Sequence, residues 1–110
     1  MDKKLMAIST SMMILKLLEK QEMYGYQIIK ELEGQSEKVF VLKEGTLYPI
    51  LHSLEQQAAI ESFEQTADTG RVRKYYRITK TGKKMLKDKT DEWETYQRAV
   101  NKVMGGILYE

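Results

Sequence analysis

The sequence predicts a mainly α-helical chain with one small β-hairpin and a long C-terminal helix. Apolar residues recur at helical spacing in several segments, two β-rich runs flank a polar turn containing glycine, and a hydroxyl at Thr79 stands before a long final helical segment. From Leu5 to Lys20, the residues Leu5, Ile8, Met12, Leu15 and Leu18 form a helical stripe that Met13, Ile14 and Leu17 widen. After a short break at Gln21 to Met23, Tyr24, Ile28 and Leu32 sit four apart, and Gly34 stands where a helix C-terminal glycine belongs. From Glu44 to Gln57, Leu47, Ile50, Leu51 and Leu54 repeat at helical spacing and leave Tyr48, Pro49, His52, Ser53 and Gln56 on the opposite face. Pro49 conflicts with this third helix, because it removes a backbone hydrogen bond at a cost of up to roughly 3 kcal/mol.

Ile60 to Gln65 and Val72 to Ile78 flank the turn Thr66-Ala67-Asp68-Thr69-Gly70 and read as an antiparallel hairpin. Strand alternation puts Val72, Tyr76 and Ile78 on one face of the second strand and Arg73, Tyr75 and Arg77 on the other. Val39 to Leu42 have strand character but are too short to stand alone, and are a candidate small third strand. The fourth helix runs from its Thr79 cap to Gly105-Gly106.

Three helices, a basic hairpin and a long helix, in that order, are the arrangement of a winged helix-turn-helix, in which the third helix enters the major groove and the hairpin loop lies along the DNA backbone or the minor groove. Residues 1–79 are expected to form this DNA-binding domain, and residues 80–110 a C-terminal dimerisation helix. A chain of 110 residues is of one-domain size, without room for a separate catalytic domain. It has no cysteine, which excludes disulfides and thiolate metal sites, and no apolar run suited to a signal or membrane helix, so a cytoplasmic location is expected. His52 is the only histidine, and no phosphate loop or metal-ligand spacing occurs. Neither an enzyme nor a cofactor is expected.

The net charge of +2 is uninformative, but its distribution is not. Arg71, Arg73, Lys74, Arg77, Lys80, Lys83, Lys84 and Lys87 follow one another without an intervening acid, which suits a polyanion or, on charge alone, a solvated face. Lys80, Lys83 and Lys84 also crowd the positive end of the fourth helix, an arrangement that nearby phosphate would relieve.

Three blocks resemble the PadR family of bacterial transcriptional regulators: Met23-Tyr24-Gly25-Tyr26, Gly45-Thr46-Leu47-Tyr48-Pro49, and Arg73-Lys74-Tyr75-Tyr76-Arg77-Ile78-Thr79 followed by Gly82. A single helix after the wing is similar to the short subgroup of that family. The resemblance implies a dimeric winged-helix repressor, often released from its operator by a small aromatic or drug-like effector. The chain departs from the family pattern at His52 and Ser53, where basic residues are usual, and at Ala58-Ala59, where glycine then leucine are usual.

Candidate DNA contacts are Lys43, Thr46, Tyr48, Pro49, His52 and Ser53 around the third helix, with Arg71, Arg73 and Lys74 at the wing. Leu86, Trp93, Val100 and Ile107 recur every seven residues, with Tyr96 and Val103 between them, a coiled-coil-like seam for a second copy of the chain. Such a homodimer would read a palindromic double-stranded operator. The resemblance further implies an effector cavity between the fourth helix and the partner's first helix, with Trp93 as stacking platform and Leu5, Met12 and Tyr96 as walls. The competing functions are a winged-helix protein-interaction module and a small-molecule-binding dimer with weak DNA affinity.

Overall fold

The computed structural model describes residues 3–105, with side chains from residue 9 onward. Its elements are α1 (Lys3–Lys20), β1 (Met23–Tyr24), α2 (Gly25–Gln35), α3 (Glu44–Gln56), β2 (Ile60–Thr66), β3 (Val72–Ile78) and α4 (Lys80–Val103). The sheet is antiparallel in the order β1-β3-β2. Helices, hairpin and long final helix therefore follow in the expected order.

The apolar stripes of the helices meet in one core. Ile14 and Leu15 of α1, Ile28 of α2, and Leu47, Leu51 and Leu54 of α3 are almost completely buried, with Ile60 and Tyr76 of the sheet and Leu86 of α4 closing the cluster. Each such side chain contributes on the order of 1.5 to 3 kcal/mol relative to exposure. Because α1 touches α2, β3 and α4, it is covered on several sides, which explains why its apolar residues spread beyond a single stripe.

The third strand is β1 and not Val39 to Leu42. The free edge of β3 is taken by Met23 opposite Tyr76 and Tyr24 opposite Tyr75, whereas residues 39–42 are irregular. Leu42 is drawn into the core, leaving Val39 and Val41 half exposed. The end of α2 also differs from expectation. Gly34 lies inside the last turn, and the left-handed conformations fall on Glu37 (φ 52°) and Lys38 (φ 67°). The N–H of Glu37 donates to the Gly34 carbonyl at 3.2 Å and that of Lys38 to the Glu33 carbonyl at 2.8 Å, so orphan carbonyls are satisfied without a glycine.

The turn between α3 and β2 places Ala58 at φ 60°, a conformation suited to glycine. It is held by the N–H of Ala59 donating to the Leu54 carbonyl at 2.9 Å and by the Thr79 hydroxyl donating to the Ala58 carbonyl at 2.6 Å. Thr79 caps α4 as expected, accepting from the Gly82 N–H at 3.0 Å. Gly82 packs so closely on the Ala59 carbonyl and Ile78 that a β-carbon there would overlap both. The start of α4 is thus clamped to the end of α3.

Candidate nucleic-acid interface

The recognition surface begins with Leu47, Leu51 and Leu54, which turn one side of α3 into the core and force Thr46, Tyr48, Pro49, His52 and Ser53 outward, where all are exposed. Lys43, also exposed, precedes the helix without capping it through its side chain. Pro49 does lie inside α3, and its missing N–H leaves the carbonyl of Gly45 without its helical donor.

The wing comes to this helix through the sheet. Tyr24, Gly25, Tyr26, Glu44, Tyr48, Arg71, Val72, Arg73 and Lys74 border an open concavity of about 490 Å³. Tyr48 and the wing cations, distant in sequence, thereby share one groove. Thr46, between the groove residues Glu44 and Tyr48, lies outside the lining, as do Pro49, His52 and Ser53 farther along the exposed side of α3, where the hydroxyl of Ser53 accepts from Gln57 Nε2 at 3.1 Å. Tyr24, Gly25, Tyr26 and Glu44 are groove residues that sequence reasoning did not place there. The Met23-Tyr24-Gly25-Tyr26 block carried a family likeness, but its proximity to the wing arises only from pairing of β1 with β3.

Gly25 has a packing reason to be glycine, since a β-carbon would come within 2.5 Å of the Tyr48 hydroxyl oxygen. Backbone geometry helps to set that close approach: α2 starts at Gly25 because the Tyr24 N–H donates to Gln27 Oε1 at 3.1 Å. Tyr48 therefore rests on the first turn of α2 with its side chain 44% exposed.

The basic run separates into cations with and without internal partners. Arg77 is claimed by acids: Nε lies 3.1 Å from Glu61 and Nη1 3.5 Å from Glu22, while its guanidinium covers Phe63 at 4.2 Å. The Nε contact has ion-pair distance without hydrogen-bond alignment. Lys87 pairs with Asp91 at 3.1 Å, which raises the Lys87 pKa, and Lys74 stands 3.9 Å from Glu55. Among the described residues Arg71 and Arg73 have no acid within ion-pair reach. Arg73 instead lies over the Tyr24 ring at 4.4 Å, which restricts the guanidinium plane at the groove without pairing its charge with an acid. Lys80, Lys83 and Lys84 are exposed but do not border the groove.

Behind the groove, Tyr76 is 2% exposed and its hydroxyl pKa is pushed up to about 12, first by burial and then by the charges of Glu55 and Tyr48. Glu55 also accepts from the Ser62 hydroxyl at 3.0 Å, which ties α3 to β2.

On α4, Leu86 is buried in the chain's own core, 5% exposed, and is not available to a partner; its expected place on the seam is corrected accordingly. The reason is that α4 packs on α1 and turns Leu86 into the core cluster. Farther along, Tyr96, Val100, Val103 and Met104 remain exposed at helical spacing, while Asn101 on another side is buried. Trp93 is half-buried and stacks on Tyr96 with centroids 6.2 Å apart. Met12 of α1 is partly buried against the core. Ile107 lies outside the described residues, as does the side chain of Leu5.

A helix with an exposed polar face, seated beside a cationic two-stranded wing and followed by a long helix with a bare apolar stripe, defines a winged helix-turn-helix protein. The transcriptional regulator PadR-like family model matches residues 14–88, and the chain belongs to that family. It is similar to the structure of a transcriptional regulator from Clostridium thermocellum, with 35% identity, a TM-score of 0.84 and coverage of 91% of this chain and 97% of the other. A PadR-like regulator from Bacillus cereus is 25% identical, with a TM-score of 0.81 and coverage of 93% and 97%. A transcriptional regulator of Mycobacterium tuberculosis is 33% identical over 77% of this chain and 73% of its own length. The family is one of regulators and not of enzymes. Among the described residues no helix is long and apolar enough to cross a membrane.

Proposed function

We propose that this transcriptional regulator is a sequence-specific DNA-binding repressor that works as a homodimer on a palindromic operator and is relieved by a small aromatic or drug-like effector. The observation that carries the DNA reading is the shared groove, where Tyr48 of the recognition helix meets Arg71 and Arg73 of the wing, neither of which is ion-paired among the described residues even though Glu44 borders the same groove. Residues 1–79 serve as the DNA-binding domain. Thr46, Tyr48, Pro49, His52 and Ser53 face the major groove, Lys43 and Lys74 neutralise phosphate, and Arg71 and Arg73 clamp the backbone.

Residues 80–110 form the dimerisation segment. The exposed stripe of Tyr96, Val100 and Val103, with Trp93 at its near end, supports pairing with a second copy, because an isolated chain leaves it in water. A two-fold axis along this seam sets two recognition helices about 34 Å apart, one helical turn of DNA. The Trp93–Tyr96 stack suits a planar aromatic ligand, with Leu5 and Met12 of the first helix as the further walls of the proposed cavity. Thr79 and Gly82 lock α4 to the end of α3, so a shift of α4 on ligand binding is passed to the recognition helix.

The test is a titration of the full chain against palindromic and random duplexes at several salt concentrations, alongside an Arg71→Ala/Arg73→Ala variant. The wild type should prefer the palindrome, and the variant should lose about one unit of log-log salt slope per phosphate contact removed. A planar aromatic cation that quenches Trp93 fluorescence should also release the duplex. Equal binding of both duplexes, or an unchanged slope, overturns the assignment.

A further inference from the structure

Glycine is the poorest helix former after proline, and α3 contains both, at Gly45 and Pro49. They stand four residues apart, one turn above the other, and the same outward row continues to His52 and Gln56. Leu47, Leu51 and Leu54 occupy the opposite side, so Gly45 and Pro49 belong to the part of α3 that faces away from the core.

Three other glycines have reasons within the fold. Gly25 makes room for Tyr48, Gly82 for the Ala59 carbonyl, and Gly70 has a φ of 85°. Gly45 has none of these: its φ is not left-handed, and a β-carbon there would meet nothing within 4 Å. Its flanking residue Glu44 and its i+3 neighbour Tyr48 both border the cationic groove. A residue that weakens the helix, packs against nothing and sits on the outward face beside that groove points to a surface outside the chain.

Resting on the DNA-binding reading above, we infer that Gly45 is the point where the duplex approaches α3 most closely, so that its missing side chain, together with the compact ring of Pro49, sets how deeply the helix enters the major groove. The opposite face of this helix needs bulk to fill the core, whereas the outward face at its leading end needs none. Any side chain at position 45 then holds the helix away from base edges and lengthens the contacts of Tyr48, Pro49 and His52 together.

Gly34 is the internal control. A β-carbon at Gly34 would likewise meet nothing within 4 Å, but this glycine lies in the last turn of α2 and does not border the groove. Gly45→Ala and Gly34→Ala should each melt no lower than the wild type, since alanine favours helix at both places. Against the duplex that the wild type enriches from a randomised pool, Gly45→Ala should bind at least about tenfold more weakly, roughly 1.4 kcal/mol, and Gly34→Ala should be unchanged. Retention of wild-type affinity by Gly45→Ala overturns the inference while leaving the DNA-binding reading intact. A Gly45→Ala variant that melts below the wild type overturns it as well, because the fold would then require the glycine. If the wild type itself enriches no duplex, the DNA-binding reading fails first and this inference falls with it.

Discussion

Ala58→Gly should stabilise the protein. Ala58 occupies the left-handed region at φ 60°, where a β-carbon costs roughly 1 to 2 kcal/mol. Its side chain is exposed, so removing the methyl group gives up little burial. Its backbone bonds, N–H to the Glu55 carbonyl at 2.9 Å and carbonyl from the Thr79 hydroxyl at 2.6 Å, do not depend on the side chain. Against the relief stands the greater freedom of glycine in the unfolded chain, about 0.4 to 1 kcal/mol. The two ranges bound the net gain between about 0 and about 1.6 kcal/mol, and their midpoints give about 0.8 kcal/mol, or roughly 3 to 6 °C in melting temperature for a domain of this size. Thermal unfolding followed by circular dichroism, at one fixed protein concentration because association shifts Tm, measures it. A valine at the same position should move Tm the other way, since a branched β-carbon is still less tolerated there. A melting temperature for Ala58→Gly at or below the wild type refutes the claim that this turn is strained.

Gly82→Ala should destabilise by roughly 2 to 3 kcal/mol, because the new methyl group meets the Ala59 carbonyl and cannot be relieved by a side-chain rotation; urea unfolding reads the loss. The Tyr76 pKa of about 12 in the folded chain exceeds the ordinary 10.0, so the fold binds that proton more tightly than the unfolded chain does. Its contribution is complete below pH 10 and disappears as pH rises from 10 to 12, a fall on the order of 2 to 3 kcal/mol that Tyr76→Phe should lack in unfolding titrations across that range. Val103→Glu should leave the folded protomer intact, because Val103 is 87% exposed, yet should weaken self-association by at least about tenfold by setting like charges at the two-fold seam. Sedimentation that shows equal association for wild type and variant removes Val103 from the interface.

The buried sides of α2 (Ile28, Leu32) and α3 (Leu47, Leu51, Leu54), the hairpin and the Thr79 cap were legible in the sequence, because each is written in spacings of two to four residues or in one residue's local chemistry. At Ala58 the only signal was the departure from the family pattern, where glycine then leucine are usual, and the structure shows the left-handed φ of 60° that gives the departure its cost. Strand β1 was not, since two residues have no strand preference to display until the edge of β3, about fifty positions later, offers hydrogen bonds. The same pairing brings Tyr24 beneath Arg73 and Gly25 beneath Tyr48, which completes the groove.

Charge was the least local property. Read along the chain, Arg71 to Lys87 is an unbroken basic run, but strand pairing sets Glu61 opposite Arg77 and folding brings Glu22 to it, so Arg77 is largely neutralised while Arg71 and Arg73 have no ion-pair partner among the described residues. Leu86 likewise fits a seven-residue seam in one dimension, and only the packing of α4 on α1 turns it into the core. Sequence alone thus determined which side of each element is apolar and which segments can be helix or strand, because those are short-range properties. Tertiary structure decided which cations keep their charge, which apolar residues remain bare and which glycines have a partner inside the chain, because each depends on groups that are neighbours only after folding.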